Sequence, residues 1–185
     1  MHRPIGAAVL ACALIAAPFV KAQEAMVGVD AGADSFLYGS LLKPAGNDPA
    51  PFVLIVPAAS PTDRNGNAIT PGATPNTYKL LADGLAARGI GSLRYDPRGV
   101  GGSAAAIRAE AELRLDTFVG DAVTWAKFLQ LQPRVKCVVI LGHAEGALIA
   151  ALAALQVKTC GVIELAAVSR AAGDLIADQL KAAKD

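Results

Sequence analysis

Residues 138–150 read VVILGHAEGALIA. A run of β-branched and aliphatic residues enters a turn bounded by Gly142 and Gly146, and an Ala-rich apolar segment leaves it. A short continuous apolar run closed by glycine predicts a strand buried on both faces. The segment from Glu145 to Leu155 is apolar nearly all round, which predicts a buried helix. The stretch therefore predicts strand, sharp turn and helix in one compact unit.

The same alternation continues outward. Upstream, VKCVVILG forms the body of the strand, and Pro133 ends a helix running from a cap at Asp116 to about Gln132. Its core stripe is Phe118, Ala122, Trp125 and Leu129. Before it lie a Gly-rich turn, PRGVGGS, and a strand, IGSLRYD (90–96). Asn76 is placed to cap a helix to Arg88, with Tyr78, Leu81 and Leu85 on one face and Gly89 as its stop. The run PFVLIVP (51–57) reads as another doubly buried strand, and residues 58–75, rich in Pro, Gly, Asn and Thr, as a long irregular loop. AMVGVD and SFLYGSLLKP predict two strands joined by a Gly/Asp turn. Downstream, TCGVIELAA predicts a strand. Residues 171–184 predict an amphipathic helix through Ala172, Leu175, Ile176 and Leu180. Strands alternating with helices imply an α/β fold, a mostly parallel sheet of about six strands with helices on both faces. No repeat or internal domain boundary interrupts it.

The chain has 185 residues, about one domain's worth, with 54% hydrophobic residues and a formal charge of +1. Basic clusters and aromatic platforms are absent, so nucleic acid is not an expected partner. Residues 1–22, MHRPIGAAVLACALIAAPFVKA, have the layout of a signal peptide. Arg3 is basic, Ile5–Ala17 is apolar, Pro18 breaks the run, and Val20 and Ala22 offer small residues before a cut at Gln23. The apolar run is short for a membrane span. Cys12 does not read as a lipid-attachment site, because the residues before it fit poorly and an apolar run follows. The expected organisation is a leader over 1–22, a single domain over 23–185, a periplasmic or secreted location, and no stable membrane span after cleavage.

Cys137 and Cys160 each stand near the start of a predicted strand. A disulfide would require those strands to be parallel neighbours. The apolar sequence around both favours two buried free thiols.

Four segments in order resemble the α/β-hydrolase family, most closely the bacterial secreted esterases and serine aminopeptidase-like hydrolases. FVLIVPAASPTDRNGN is similar to the third strand and oxyanion loop of that family. YKLLADGLAARGIGSLRYDPRGVGGS is similar to its first helix, fourth strand and Asp-x-Arg-Gly-x-Gly-x-Ser turn. FVGDAVTWAKFLQLQP resembles the second helix, and KCVVILGHAEGALIAALAA the fifth strand, nucleophile elbow and following helix. The resemblance covers residues 24–185. It implies that Gly142 and Gly146 are required by close packing of strand and helix, and that position 144 carries the nucleophile. It also implies that the backbone N–H groups of Glu145 and Ala59 form the oxyanion hole. The family often has glycine in the loop that here reads Pro57-Ala58-Ala59-Ser60. Arg94, Asp96 and Arg98 invite an acid–base reading, but the resemblance implies an internal Asp–Arg network that holds the turn, with Asp63 and Arg64 shaping the rim.

The chain departs from the family at its centre. The turn Gly-x-Ser-x-Gly here has Ala144, and a methyl group cannot attack a carbonyl. The base should be a late histidine, yet the chain has only His2 and His143. His2 lies in the leader, and His143 precedes the nucleophile position, where a packed or hydrogen-bonded elbow residue is expected. The family's acid and histidine follow later strands than the sixth, after which this chain ends at Asp185. Ser60 and Ser103 lack a histidine in reach, and Cys137 is at the far end of its strand. The expectation is a hydrolase relative inactive as written, a truncated α/β-hydrolase fold, with a non-catalytic binding module as the alternative. No cofactor and no metal are expected. A small acyl or ester ligand at the elbow, and self-association through the exposed edge of the sixth strand, are the expected partners.

Overall fold

The structure is a computed structural model that describes residues 21–182, except 33–34, 59–61, 69–73, 108, 110, 112, 168–169 and 171. Nearly all of the expected leader, 1–20, lies outside the described residues. Among those described, no helix is long and apolar enough to cross a membrane.

Six strands form one sheet: β1 Gln23–Asp30, β2 Phe36–Lys43, β3 Ala50–Val56, β4 Gly91–Tyr95, β5 Val135–His143 and β6 Gly161–Leu165. The spatial order is β1-β2-β4-β3-β5-β6. β1 and β2 pair antiparallel, as do β2 and β4, and every remaining pair is parallel. Among the described residues four α-helices accompany the sheet, α1 Thr77–Ala86, α2 Leu115–Gln130, α3 Glu145–Ala154 and α4 Ala172–Ala182, with a short 3-10 helix over Gly101–Ala106.

The apolar runs of β3 and β5 bury both faces because alternate residues serve different layers. Phe52, Leu54 and Val56 of β3 and Val138 and Ile140 of β5 pack against α2 and α3, with Trp125, Leu129, Ile149 and Ala153. Val53, Ile55 and Leu141 point the other way and meet Tyr78, with Leu81 and Leu85 half-buried beside them. The sheet is therefore a middle layer, with α1 on one face and α2 and α3 on the other.

The local signals differ from expectation in four places. Asn76 occupies the α1 cap position in the left-handed region (φ 52°), but its amide is committed elsewhere, to Thr74 O and Asn67. That helix ends at Ala86, and the turn to Gly89 (φ 76°) closes through Gly89 N–H to Ala86 O and Ile90 N–H to Leu85 O. Helix α2 begins at Leu115, before Asp116, because the Arg114 N–H is taken by the Thr117 hydroxyl at 3.4 Å. Helix α3 is not buried all round: Leu148 is 51% exposed, because β5 and α2 cover one side only.

The cysteines are the fourth correction. Cys137 and Cys160 form a disulfide, their Cα atoms 5.9 Å apart. β5 and β6 are parallel neighbours, and Cys160 N–H donates to Val138 O at 2.8 Å, which sets the two side chains on facing positions.

Candidate active site

The carboxyl ends of parallel strands are where open α/β sheets place their crevices. β3, β4 and β5 all deliver polar residues to that end. β5 ends at His143, α3 starts at Glu145, and Ala144 alone makes the reversal, at φ 52° and ψ −118°. A positive φ is rare for a residue with a side chain and costs on the order of 1–3 kcal/mol. It persists because both flanks are fixed. The Ala144 N–H donates to Leu165 O at 2.8 Å, and Ala147 N–H donates to Ala144 O at 3.0 Å.

The bounding glycines permit this turn for steric reasons. A Cβ on Gly142 would lie 2.1 Å from Gly146 O, and one on Gly146 would lie 2.3 Å from Pro57 O. No side chain fits at either position without moving backbone. The elbow thus wedges the start of α3 against both its own strand and the end of β3. Glu145 is exposed and opens α3, so its N–H belongs to the first turn of a helix, where donors have no partner within the helix. Ala59 and Ser60 lie outside the described residues.

His143 faces Tyr78 of α1. The Tyr78 hydroxyl lies 2.9 Å from His143 Nδ1, with the rings edge to face at 5.8 Å. The Ala58 N–H donates to the same hydroxyl at 3.2 Å. The one hydroxyl thus meets both the Ala58 N–H and the His143 ring nitrogen. Burial pushes the Tyr78 phenol up and keeps it protonated, against the Ala58 hydrogen bond. Tyr78 therefore ties the loop after β3 to the elbow. Sequence periodicity marked it only as a core residue of α1, and no local signal distinguishes it from Leu81 or Leu85.

Asp96, at the end of β4, is buried and accepts three contacts. The backbone N–H groups of Arg64 and Gly102 each donate to it at 2.8 Å, and the Arg64 guanidinium lies 3.7 Å away. The Gly-rich turn exists to close around this carboxylate: a Cβ on Gly101 would meet Asp96 Oδ2 at 2.6 Å, and Gly101 has φ 50°. Arg98 does not join Asp96. Its Nε and Nη2 hold both oxygens of Asp121 on α2 at 2.8 and 2.7 Å, and it also donates to the carbonyls of Ala106 and Ala31. The Asp121 hydrogen bond raises the Arg98 pKa, while burial pushes Asp121 up against the pull of Arg98. Arg94 is buried and bonded to Glu24 and Asn65; burial lowers its pKa, and Glu24 opposes that. Asp63 accepts the Asn65 and Asn67 N–H groups and shapes the loop. The acidic and basic residues of this rim are therefore engaged with one another, with asparagine side chains or with backbone.

The remaining candidate nucleophiles stand apart. Ser103 is fully buried, and its hydroxyl accepts from Tyr38 N–H at 2.9 Å. Cys137 is in the disulfide at the opposite end of β5. Among the described residues no group of His, Cys, Asp and Glu is placed to hold a metal ion.

Comparisons with known proteins agree with this architecture. The family model described as serine aminopeptidase, S33, matches residues 72–184. Esterase EstD of Thermotoga maritima is 30% identical over 145 residues, which are 78% of this chain and 34% of that protein. This chain thus spans about a third of the length of that curated relative. Two solved structures share the fold: the α/β-hydrolase GrgF from Penicillium (TM-score 0.64, 20% identity, 88% of this chain and 53% of that one) and a dienelactone hydrolase from Anabaena variabilis (TM-score 0.58, 22% identity, 78% and 63%). A family match across more than half of the chain, on a sheet with a strand–elbow–helix unit at its centre, establishes that the chain belongs to the serine aminopeptidase S33 family and carries part of an α/β-hydrolase fold.

Proposed function

We propose that this chain is a non-catalytic member of its hydrolase family, one that keeps the elbow but does not perform acyl transfer through residue 144. By their names the relatives include an esterase and a dienelactone hydrolase, and ester or amide chemistry is the class this site descends from. The observation that carries the reading is Ala144 itself, whose strained backbone (φ 52°) sits where strand turns to helix and whose side chain is a methyl group. A methyl group can be neither deprotonated nor made nucleophilic. In a working serine triad, loss of the serine alone costs roughly a million-fold in kcat. His143 is engaged through Nδ1 with the Tyr78 hydroxyl, the contact of a packed elbow residue. Roles follow for the remaining elbow residues: Glu145 and Ala59 are the oxyanion donors by descent, and Gly142, Gly146, Asp96 and Arg98 are architectural.

The test is turnover of short acyl esters by the exported chain, with residues 1–22 removed and the protein recovered from the periplasm or medium. The expected result is hydrolysis at the level of buffer and no labelling by a fluorophosphonate. Turnover abolished by substituting one residue of this chain would overturn it.

A second reading is binding without turnover. The exposed start of α3 offers N–H groups and the positive end of a helix dipole to a small carboxylate or acyl group. It predicts a rise in melting temperature with butyrate or acetate that is lost in Glu145→Pro, whose position then has no N–H; no rise with any carboxylate sinks it.

A further inference from the structure

The end of the sheet opposite the elbow carries a second concave feature. A cavity of about 270 Å³ is lined there by Gln130, Lys136, Cys137, Lys158, Thr159 and Cys160, with the valines of β5 behind them. Cys160 is the exposed residue of the disulfide and Cys137 is half-buried, and both line the cavity. The lining contains two ammonium groups and no carboxylate. Among the described residues, neither Lys136 nor Lys158 takes part in an ion pair. The turn that presents Cys160 is also fixed independently of the sulfurs. Gln130 Nε2 donates to Lys158 O at 2.6 Å, and Cys160 N–H donates to Val138 O at 2.8 Å.

We propose that the Cys137–Cys160 disulfide is a thiol-exchange site for a small anionic thiol of the glutathione class. The incoming thiolate attacks Sγ of Cys160, the more exposed of the two residues. A bond forms between the two sulfurs, the Cys137–Cys160 bond breaks, and its electron pair leaves on Cys137 Sγ, which takes a proton from water. The adduct on Cys160 occupies the cavity, with its carboxylates beside Lys136 and Lys158. The same two ammonium groups favour the Cys137 thiolate as leaving group. Because the turn is held by its own hydrogen bonds, Cys137 stays beside Cys160 and reverses the step by attacking the mixed disulfide, which expels the small thiol. A second small thiol instead attacks the adduct sulfur, releases Cys160 as thiolate and leaves as the oxidised small disulfide. The site is distinct from the elbow and does not depend on whether the elbow is active.

The experiment uses the full chain under native conditions, with reduced glutathione and, separately, uncharged 2-mercaptoethanol, at matched thiolate concentrations. Adducts are mapped by peptide mass spectrometry. The expected adduct is on Cys160. The rate ratio of glutathione to 2-mercaptoethanol should fall about threefold in Lys136→Gln/Lys158→Gln, and by a similar factor in the unaltered chain when salt is raised to about 0.5 M, where screening removes the attraction. The salt arm keeps the test independent of how the variant folds. An adduct found only on Cys137, a disulfide that resists both thiols until the protein unfolds, or a rate ratio indifferent to salt would each overturn the proposal.

Discussion

The two ends of the β5–α3–β6 unit are built to opposite specifications. At β5 and the elbow, Ile140 is fully buried, and glycines bring backbone to the limit of contact with β3. At β6, one strand away, Val162, Ile163 and Leu165 are 37%, 41% and 40% exposed. Both strands are rich in Val, Ile and Leu. What differs is coverage: β5 has a strand on each side and helices over both faces, whereas β6, among the described residues, pairs with β5 on one edge only. Burial, and with it stability, depends on what surrounds a strand more than on what the strand contains. The elbow belongs to the packed half, and its apex leans on the exposed half through the hydrogen bond from Ala144 N–H to Leu165 O.

Substitutions can break this comparison, and the largest effect is expected at the glycines. Gly146→Val should cost about 4 kcal/mol or more, because its Cβ has no space against Pro57 O; chemical denaturation, or failure to recover folded protein, measures it. Next, Ile140→Ala should cost about 4 kcal/mol and Ile163→Ala under about 1.5 kcal/mol, despite identical chemistry. Equal costs would show that β6 is covered as well as β5. Removing the clamp between the halves, as Cys137→Ser/Cys160→Ser, should cost about 3 kcal/mol for a loop with a sequence separation of 23, read as a lower denaturation midpoint than that of the oxidised chain.

Alkaline titration gives a smaller effect. Burial pushes the Tyr78 and Tyr95 phenols up, so between pH 10 and their folded values the unfolded chain releases protons that the folded chain keeps. Stability should therefore be complete below about pH 10 and fall above it, by up to about 1.4 kcal/mol per pH unit for each group. Tyr95→Phe should flatten the slope. The smallest effect is expected for Tyr78→Phe, about 1 kcal/mol, which leaves the Ala58 N–H and His143 Nδ1 without their shared partner. Its specific readout is the His143 ring resonance by NMR, which a merely packed tyrosine would leave unmoved.

Element order was legible in the residues alone, because a strand or helix buries its own periodic pattern and the signals at PFVLIVP and VVILGHAEGALIA are long and clear. The turn chemistry was equally local: Gly142 and Gly146 are readable because the backbone approaches that need glycine lie within the same unit or at the strand beside it. Tertiary structure alone decided whatever depends on which elements become neighbours. That is why Cys137 and Cys160, read as free thiols, are joined: the pairing of β5 with β6 is not written in either strand. It is why Arg98 holds Asp121 of α2 and not Asp96, two residues away. It is why Tyr78, with nothing in its own helix to mark it, bridges Ala58 and His143. It is also why the uniformly apolar α3 has an exposed flank at Leu148. Periodicity tells which residues are able to be buried, and only the packing of neighbouring elements supplies the surface that buries them.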